Sequence, residues 1–427
     1  MKLSKHKLGE LIEVTRGASL SGQFYAEKGE LIRLTLGNFN MNGGGFKENT
    51  SKTNLYYTGT VKDEFILNKG DIITPLTEQS LGLLGTTARI PESGKYIQSQ
   101  DVALVKCKEG LLDPNFCYYL ISSSVVRQQL SAGAQQTKIR HTSPDKIKDC
   151  TAWVPELEVQ KRIGRILYDI DEKIALNRQI NDNLEAMAKQ LYDYWFVQFD
   201  FPNEKGKPYK SSGGAMVWNE RLKREIPIDW TCCSIKEMCD INKKTINKDE
   251  HKQIEYLDTG SITQGHISNT EIYSVDMAPS RAQRKVEDLS ILYSSVRPRL
   301  LHYGILSTPK ENFIVSTGFV TLDAKCKKMA LMVYYFLTSN TITEHLASIA
   351  DTAVSSYPSI SPDDIAYLDI VIPSNDIIQK YNDIVEPMFR KMSTLRKEID
   401  SLTKQRDELL PLLMNGQASV NYHLSAY

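Results

Sequence analysis

Ile163, Leu167, Ile170, Ile174, Asn177, Asn181, Leu184, Ala188 and Leu191 recur at alternating spacings of four and three, with two asparagines set among the apolar positions. That rhythm is the a/d seam of a long helix. A second stripe, Tyr381, Val385, Met388, Met392, Leu395, Ile399, Leu402, Arg406, Leu409 and Leu413, keeps it, while Lys391, Arg396, Lys397, Glu398, Lys404 and Asp407 occupy other faces. Each helix would run about 30–40 residues, or about 45–60 Å. An isolated apolar stripe is more often plain core, but a helix this long cannot bury its stripe on its own small domain. The two are therefore expected to pack on each other, antiparallel if their domains sit at opposite ends. Asn177 and Asn181 on the seam would trade stability for register. Pro387 removes a backbone donor and predicts a kink or restart near Glu386, and Gly416 predicts the stop.

The two stripes belong to a longer repeat. Ser143-Pro144-Asp145, Ile147 and Val154-Pro155 return as Ser361-Pro362-Asp363, Ile365 and Ile372-Pro373, a shift of 218 that also carries Ile174 onto Met392 and Leu191 onto Leu409. Short β-like runs precede each helix: Leu31 to Thr35, Glu64 to Leu67, Asp71 to Thr74 and Val102 to Val105, then Ile254 to Leu257, Ser290 to Tyr293 and Gly318 to Leu322. Aromatic helix starts follow at Tyr118-Tyr119 and Tyr334-Tyr335. The expected fold class is α+β: two α+β domains joined by two long antiparallel helices in a coiled coil, with an internal pseudo-two-fold repeat. A pseudo-dimer usually meets a two-fold partner, and duplex DNA is the commonest one.

Composition allows this without demanding it. Lys+Arg and Asp+Glu are equal at 52 each, so the chain is not coated in positive charge, and any basic surface is a local patch on a neutral body. No run is apolar enough to span a bilayer, and a cytoplasmic protein with no membrane partner is the expectation. The seven cysteines are scattered, with no C-x-x-C, as expected of reduced structural thiols.

The chemistry-bearing motifs are mostly missing. There is no Gly-Lys-Ser or Gly-Lys-Thr to cradle a phosphate, and the seven histidines lack ligand spacing. Asp113-Pro114-Asn115-Phe116 resembles the Asp-Pro-Pro-Tyr/Phe loop of amino-methyltransferases but lacks its second proline, and reads as a helix start. Binding without catalysis and without a cofactor is the expectation.

Leu191-Tyr192-Asp193-Tyr194-Trp195-Phe196-Val197-Gln198-Phe199-Asp200-Phe201-Pro202, then Gly206-Lys207-Pro208-Tyr209-Lys210 and Ile226-Pro227-Ile228-Asp229-Trp230, closely resemble the central region of type I restriction-modification specificity subunits. The ending Leu409-Leu410-Pro411-Leu412-Leu413-Met414-Asn415-Gly416 resembles theirs too, so the likeness covers essentially the whole chain. It implies target-recognition domains at 1–150 and 231–372, a central helix at 151–200, a connector at 201–230 with the composition of an exposed link, a C-terminal helix at 373–416 and a tail at 417–427. It further implies that each domain reads half of a bipartite double-stranded DNA target. The paired helices would space the halves and dock two methyltransferase subunits, with restriction subunits completing the nuclease.

Bases are read by Arg, Lys, Asn, Gln, Ser or Thr on their edges, and basic residues on phosphates set position. The candidates in the first domain are Arg16, the loop Thr77-Glu78-Gln79-Ser80 with Gln79 and Ser80 foremost, and the run Gln135-Gln136-Thr137-Lys138-Ile139-Arg140 with Gln135, Gln136, Lys138 and Arg140 foremost. In the second they are Arg281, Arg284, Lys285, Arg297, Arg299, His302, Ser355 and Ser356. Pro298 is expected to hold Arg297 extended, so that Arg297 and Arg299 project from one side of a short extended segment. Any single one of these is as readily a solvated surface charge. Two rival readings are an enzyme fused to its own reader, which would bind S-adenosylmethionine alone, and a two-lobed protein adaptor, which would retain no DNA.

Overall fold

The computed structural model describes residues 2–41, 44–78, 81–133, 140–352 and 358–418. The chain divides into two compact units: residues 1–178 with 397–427, and residues 179–396. The division cuts both long helices, Leu157–Tyr192 and Asn375–Met414, so each unit holds one lobe and one half of the helix pair.

In unit 1 the strand Leu3–Lys7 pairs antiparallel with Thr151–Pro155, joining the start of the lobe to the strand that leads into the central helix. Ser143 caps the helix Pro144–Asp149 through the Lys146 amide, and proline at the first turn costs no hydrogen bond because its amide would be an orphan there. Asp113 likewise caps Pro114–Ser122 by accepting from the Phe116 amide at 2.9 Å, so Asp113-Pro114-Asn115-Phe116 is a helix start. A four-stranded antiparallel sheet runs in the order Ile12–Arg16, Val102–Cys107, Ile72–Pro75, Ala88–Arg89. A second sheet contains one parallel pair, Leu31–Arg33 with Tyr96–Ile97. The run from Glu64 to Leu67, expected as a strand, is instead the 3-10 turn Asp63–Phe65, with Ile66 bridged to Ile97.

Unit 2 repeats the plan. Thr231–Ser234 pairs with Asp369–Ile372, and Ser361 caps Pro362–Ala366 in a reciprocal box with Asp364. The four-stranded sheet runs Cys239–Ile241, Phe319–Ala324, Ile291–Ser294, Tyr303–Ile305, and the second sheet again has a parallel pair, Gln253–Leu257 with Phe313–Ser316. The lobes differ in where the fourth strand of that sheet lies. Tyr25–Ala26 adds beyond Tyr56–Tyr57 in unit 1, whereas Ala282–Lys285 adds beside Phe313–Ser316 in unit 2.

Within each unit the helix segments are antiparallel. In unit 1 Asp171 meets Arg406 at 2.9 Å and Asn177 donates to Glu398 at 3.0 Å. In unit 2 Trp195 and Phe196 pack on Tyr381, with ring centroids 5.8 and 4.7 Å apart. Asn177 and Asn181 are both buried, as the seam requires. The C-terminal helix runs unbroken through Pro387, so the expected restart near Glu386 is absent: the apolar seam on both sides holds the helix although Asp383 loses its backbone donor. Gly416, at φ 71°, ends it, with the Gln417 amide reaching back to the Leu412 carbonyl at 2.9 Å.

The segment after the central helix turns through a π-helical step, Asp193–Val197, and a left-handed Phe199 at φ 64°. Phe201 then stacks on Tyr209 and on Trp230, with centroids 4.7 and 4.8 Å apart, and Asp200 holds the Ser211 amide at 2.7 Å. The expected exposed link is therefore exposed over 204–207 and 210–213 but anchored at both ends. Among the described residues no helix is long and apolar enough to cross a membrane, and no group of three or more His, Cys, Asp or Glu is placed to hold a metal.

Candidate nucleic-acid interface

One end of each four-stranded sheet carries most of the described candidates. In unit 1 Ala103 faces Arg16 on one side and Thr74 on the other, so Arg16 emerges beside the loop that leaves Pro75. Gly17 is required next to it. A Cβ there would lie 2.2 Å from the Gln98 carbonyl oxygen, and that close approach lets the Ala18 amide bond the same carbonyl at 2.9 Å. The loop then pairs Thr77–Glu78 with Arg140–His141 in a two-residue clasp. Glu78 is 2% exposed and its Oε2 accepts from the amides of Gly82, Leu83 and Leu84 at 3.0–3.2 Å. Arg140 stands 3.7 Å from the other oxygen, so this arginine counters a buried carboxylate. Arg16 is exposed and makes no side-chain hydrogen bond or ion pair among the described residues.

Unit 2 builds the same clasp. Val296 bridges Ser359, and the Arg297 amide donates to the Pro358 carbonyl at 2.9 Å. Around it, the Thr317 amide donates to the Arg281 carbonyl at 2.8 Å and the Ser295 hydroxyl to the Gly318 carbonyl at 2.9 Å. The Arg281 side chain is exposed and unpartnered among the described residues.

The expectation for Arg297 and Arg299 does not hold. Arg297 is left-handed at φ 48°, ψ 69°, and Pro298–Leu300 is a 3-10 turn closed by a left-handed Leu301 at φ 57°. Proline fixes only its own φ and bars the right-handed helical region for the residue before it; the clasp to Pro358 then selects the left-handed basin instead of the extended one. Arg299 turns back to Asp351 and Glu344, and the hydrogen bond it donates to the Asp351 carboxylate raises its guanidinium above the usual value.

The remaining candidates have structural partners. Arg284 donates to the Asn242 carbonyl at 3.1 Å, and burial lowers its guanidinium from the usual value. Lys285 pairs with Glu250 at 3.0 Å. His302 sets Nδ1 2.6 Å from the Ile262 carbonyl, so Nδ1 carries the proton and the neutral ring would offer Nε2 as acceptor. Gln79, Ser80, Gln135, Gln136, Thr137, Lys138, Ile139, Ser355 and Ser356 lie outside the described residues. Thr77 and Glu78, expected in the DNA-reading loop, are instead buried, and Glu78 is the loop's anchor. No local pattern marks a glutamate whose importance comes from amides four to six residues on.

Two copies of one lobe, each with half a helix pair and the same clasp, define a duplicated recognition scaffold. Residues 2–186 and 227–404 each match the type I restriction modification DNA specificity domain, one match per copy, and the chain belongs to that family of type I restriction-modification specificity subunits. It is 24% identical over 323 residues to the type I restriction enzyme MjaIX specificity subunit of Methanocaldococcus jannaschii, covering 73% of this chain and 71% of that one. To the HindI specificity subunit of Haemophilus influenzae it is 25% identical over 178 residues, 42% of this chain and 39% of the relative. The crystal structure of the S subunit of a type I restriction-modification system from M. genitalium shares the fold, with a TM-score of 0.63 and 17% identity over 97% of this chain and 96% of that one.

Proposed function

We propose that this chain gives a type I restriction-modification complex its DNA sequence specificity without doing chemistry itself. Residues 1–150 read one half of a bipartite target and residues 231–372 the other, while the helices within 151–200 and 373–416 set the gap and dock two methyltransferase subunits, which restriction subunits join. The observation that carries this is the repeated clasp. Each lobe holds a clasped loop at the same end of the same sheet, with an exposed arginine beside it that has no other partner among the described residues, Arg16 in one and Arg281 in the other. Such arginines suit phosphate or guanine contacts, whereas Arg284, Lys285 and Arg299 are engaged within the protein. Half-sites on a duplex repeat at about 34–36 Å, a span that helices of 36 and 40 residues exceed.

The test is to express the chain with its methyltransferase partner in a host lacking both and to map methylated bases by single-molecule sequencing. A two-part motif with a fixed gap is expected. Replacing 231–372 with the matching lobe of a relative should change one half alone, and inserting residues between Asn177 and Leu184 should change the gap alone. A single undivided motif, or loss of both halves on exchanging one lobe, would overturn the reading.

A further inference from the structure

We propose that Leu81 and Leu300 are a matched pair of apolar base contacts, one from each lobe; this rests on the reading above that the lobes engage duplex DNA. In unit 1 the clasp joins Glu78 to Arg140, and Leu81 stands three residues beyond it. In unit 2 it joins Arg297 to Pro358, and Leu300 again stands three residues beyond it. Past that point the loop of unit 1 is three residues longer, Ile73 to Ala88 against Leu292 to Gly304, so the match is set by the clasp and not by the loop's return.

Both leucines face solvent, Leu81 at 73% exposure and Leu300 at 49%. Each is followed by a left-handed residue, Gly82 at φ 97° and Leu301 at φ 57°. That conformation is cheap for glycine but strained for leucine, so the surroundings must hold it in unit 2.

The two loops are held by different means. In unit 1 the buried Glu78 carboxylate gathers the amides of Gly82, Leu83 and Leu84, and Arg127, from the helix Ser124–Gly133, donates to the Gly82 carbonyl. In unit 2 the charge runs the other way. Arg299 of the loop reaches Glu344 and Asp351 of the helix Asn340–Thr352, the Leu300 amide closes on the Arg297 carbonyl at 2.9 Å, and His302 fastens the far side to Ile262.

A lone exposed leucine needs no explanation. Two of them, at the same step past a duplicated clasp, on loops braced by unrelated contacts, are a presented side chain. The ligand chemistry that fits is the thymine methyl group or the apolar face of a base step. Leucine serves as such a wedge in other DNA-binding proteins, and it can discriminate without adding charge.

The test uses the full chain with its methyltransferase partner and a duplex carrying the motif found by methylation mapping. Leu81→Ala and Leu300→Ala should each weaken binding about 5- to 30-fold, the loss of one buried side chain's contact. Each should relax the motif at one base pair of its own half and leave the salt dependence unchanged, because no phosphate contact is removed. Leu81→Met should stay near the parent. Unchanged affinity and motif in both alanine variants would overturn the proposal. So would weaker methyltransferase assembly with unaltered DNA recognition, since the leucines would then face a protein, and so would early melting, since they would then be packing residues. If the parent complex itself yields no motif, the functional reading fails before any variant is compared.

Discussion

In unit 1 the helix pair is joined by charge, and at the corresponding place in unit 2 by apolar packing. Arg406, 8% exposed, meets Asp171 at 2.9 Å, and Tyr119 donates to the same carboxylate at 2.7 Å. Burial alone would lower the Arg406 guanidinium, yet Asp171 and Asp407 outweigh it and hold it above its usual value. The 218 shift carries Asp171 onto Phe389 and Ala188 onto Arg406, and Phe389 and Ala188 both lie in the apolar core of unit 2. The tyrosine has its counterpart in Tyr335, whose buried hydroxyl has no hydrogen-bond partner among the described residues.

The difference bears on pairing. Two central helices packed antiparallel on each other would set Asp171 against Ala188, and two C-terminal helices would set Arg406 against Phe389. Either arrangement buries an unpaired charge, which costs several kcal/mol. Divergence of the two copies thus favours the pairing of unlike helices over the like-with-like pairing that two chains could form, a use of polar seam residues known from coiled coils.

The largest effect should come from forcing one solution onto the other half. Ala188→Arg places a charge and a long side chain in a fully buried site of unit 2 and should cost at least about 4 kcal/mol. Arg406→Ala, which strands the partly buried Asp171, should cost about 2–4 kcal/mol. Asp171→Phe with Arg406→Ala, the pair that unit 2 uses, should return to within about 1 kcal/mol of the parent. Urea melts read by unit-specific probes decide this, because two units need not unfold as one transition. The double variant should also form exchanged dimers, seen by light scattering. A strictly monomeric double variant would break the pairing argument.

A smaller contrast lies at two glycines. In Gly17→Ala the new Cβ meets backbone, the Gln98 carbonyl at 2.2 Å, so the loop after Arg16 must move, at about 2–3 kcal/mol. In Gly318→Ala it meets the Thr259 methyl at 2.8 Å, a side chain that can turn away, at about 1 kcal/mol. Methylation mapping should show the first half of the motif degraded by Gly17→Ala and the second half little changed by Gly318→Ala. Equal effects would mean that the two lobes tolerate distortion alike.

These contrasts mark where sequence reading stops. The seam, the Ser-Pro-Asp caps, the Gly416 stop and the duplication depend on spacing within a few residues or on a fixed shift, and a single chain displays them. The clasp does not, because Glu78 and Arg140, or Arg297 and Pro358, are about sixty residues apart and their partnership is a property of the folded lobe. Arg299 looked available for DNA because Glu344 and Asp351 are likewise remote from it, 45 and 52 residues along the chain. The 3-10 turn at Asp63–Phe65 shows the same limit on a shorter scale, where tertiary context overrode a β-like run.

The smallest effect separates two tyrosines by sign. Tyr119→Phe removes a hydrogen bond to a carboxylate and should destabilise unit 1 by about 1–2 kcal/mol, whereas Tyr335→Phe removes a buried hydroxyl that has no partner among the described residues and should leave unit 2 unchanged or up to about 1 kcal/mol more stable. In alkali the two should behave alike. Burial raises both phenols above the usual value, with Asp171 adding to it for Tyr119 and Glu185 for Tyr335. A raised folded pKa means that folding favours the protonated ring, so the contribution is intact below about pH 10 and is lost as pH rises beyond it. Each Phe variant should therefore flatten the alkaline fall in stability of its own unit, while near neutrality the two move stability in opposite directions or one not at all. Urea midpoints measured at pH 7 and at pH 11 give both readings from one series. If Tyr335→Phe destabilises as much as Tyr119→Phe at pH 7, the Tyr335 hydroxyl has a partner that the Phe389 and Ala188 core conceals, and the two halves are more alike than their residues suggest.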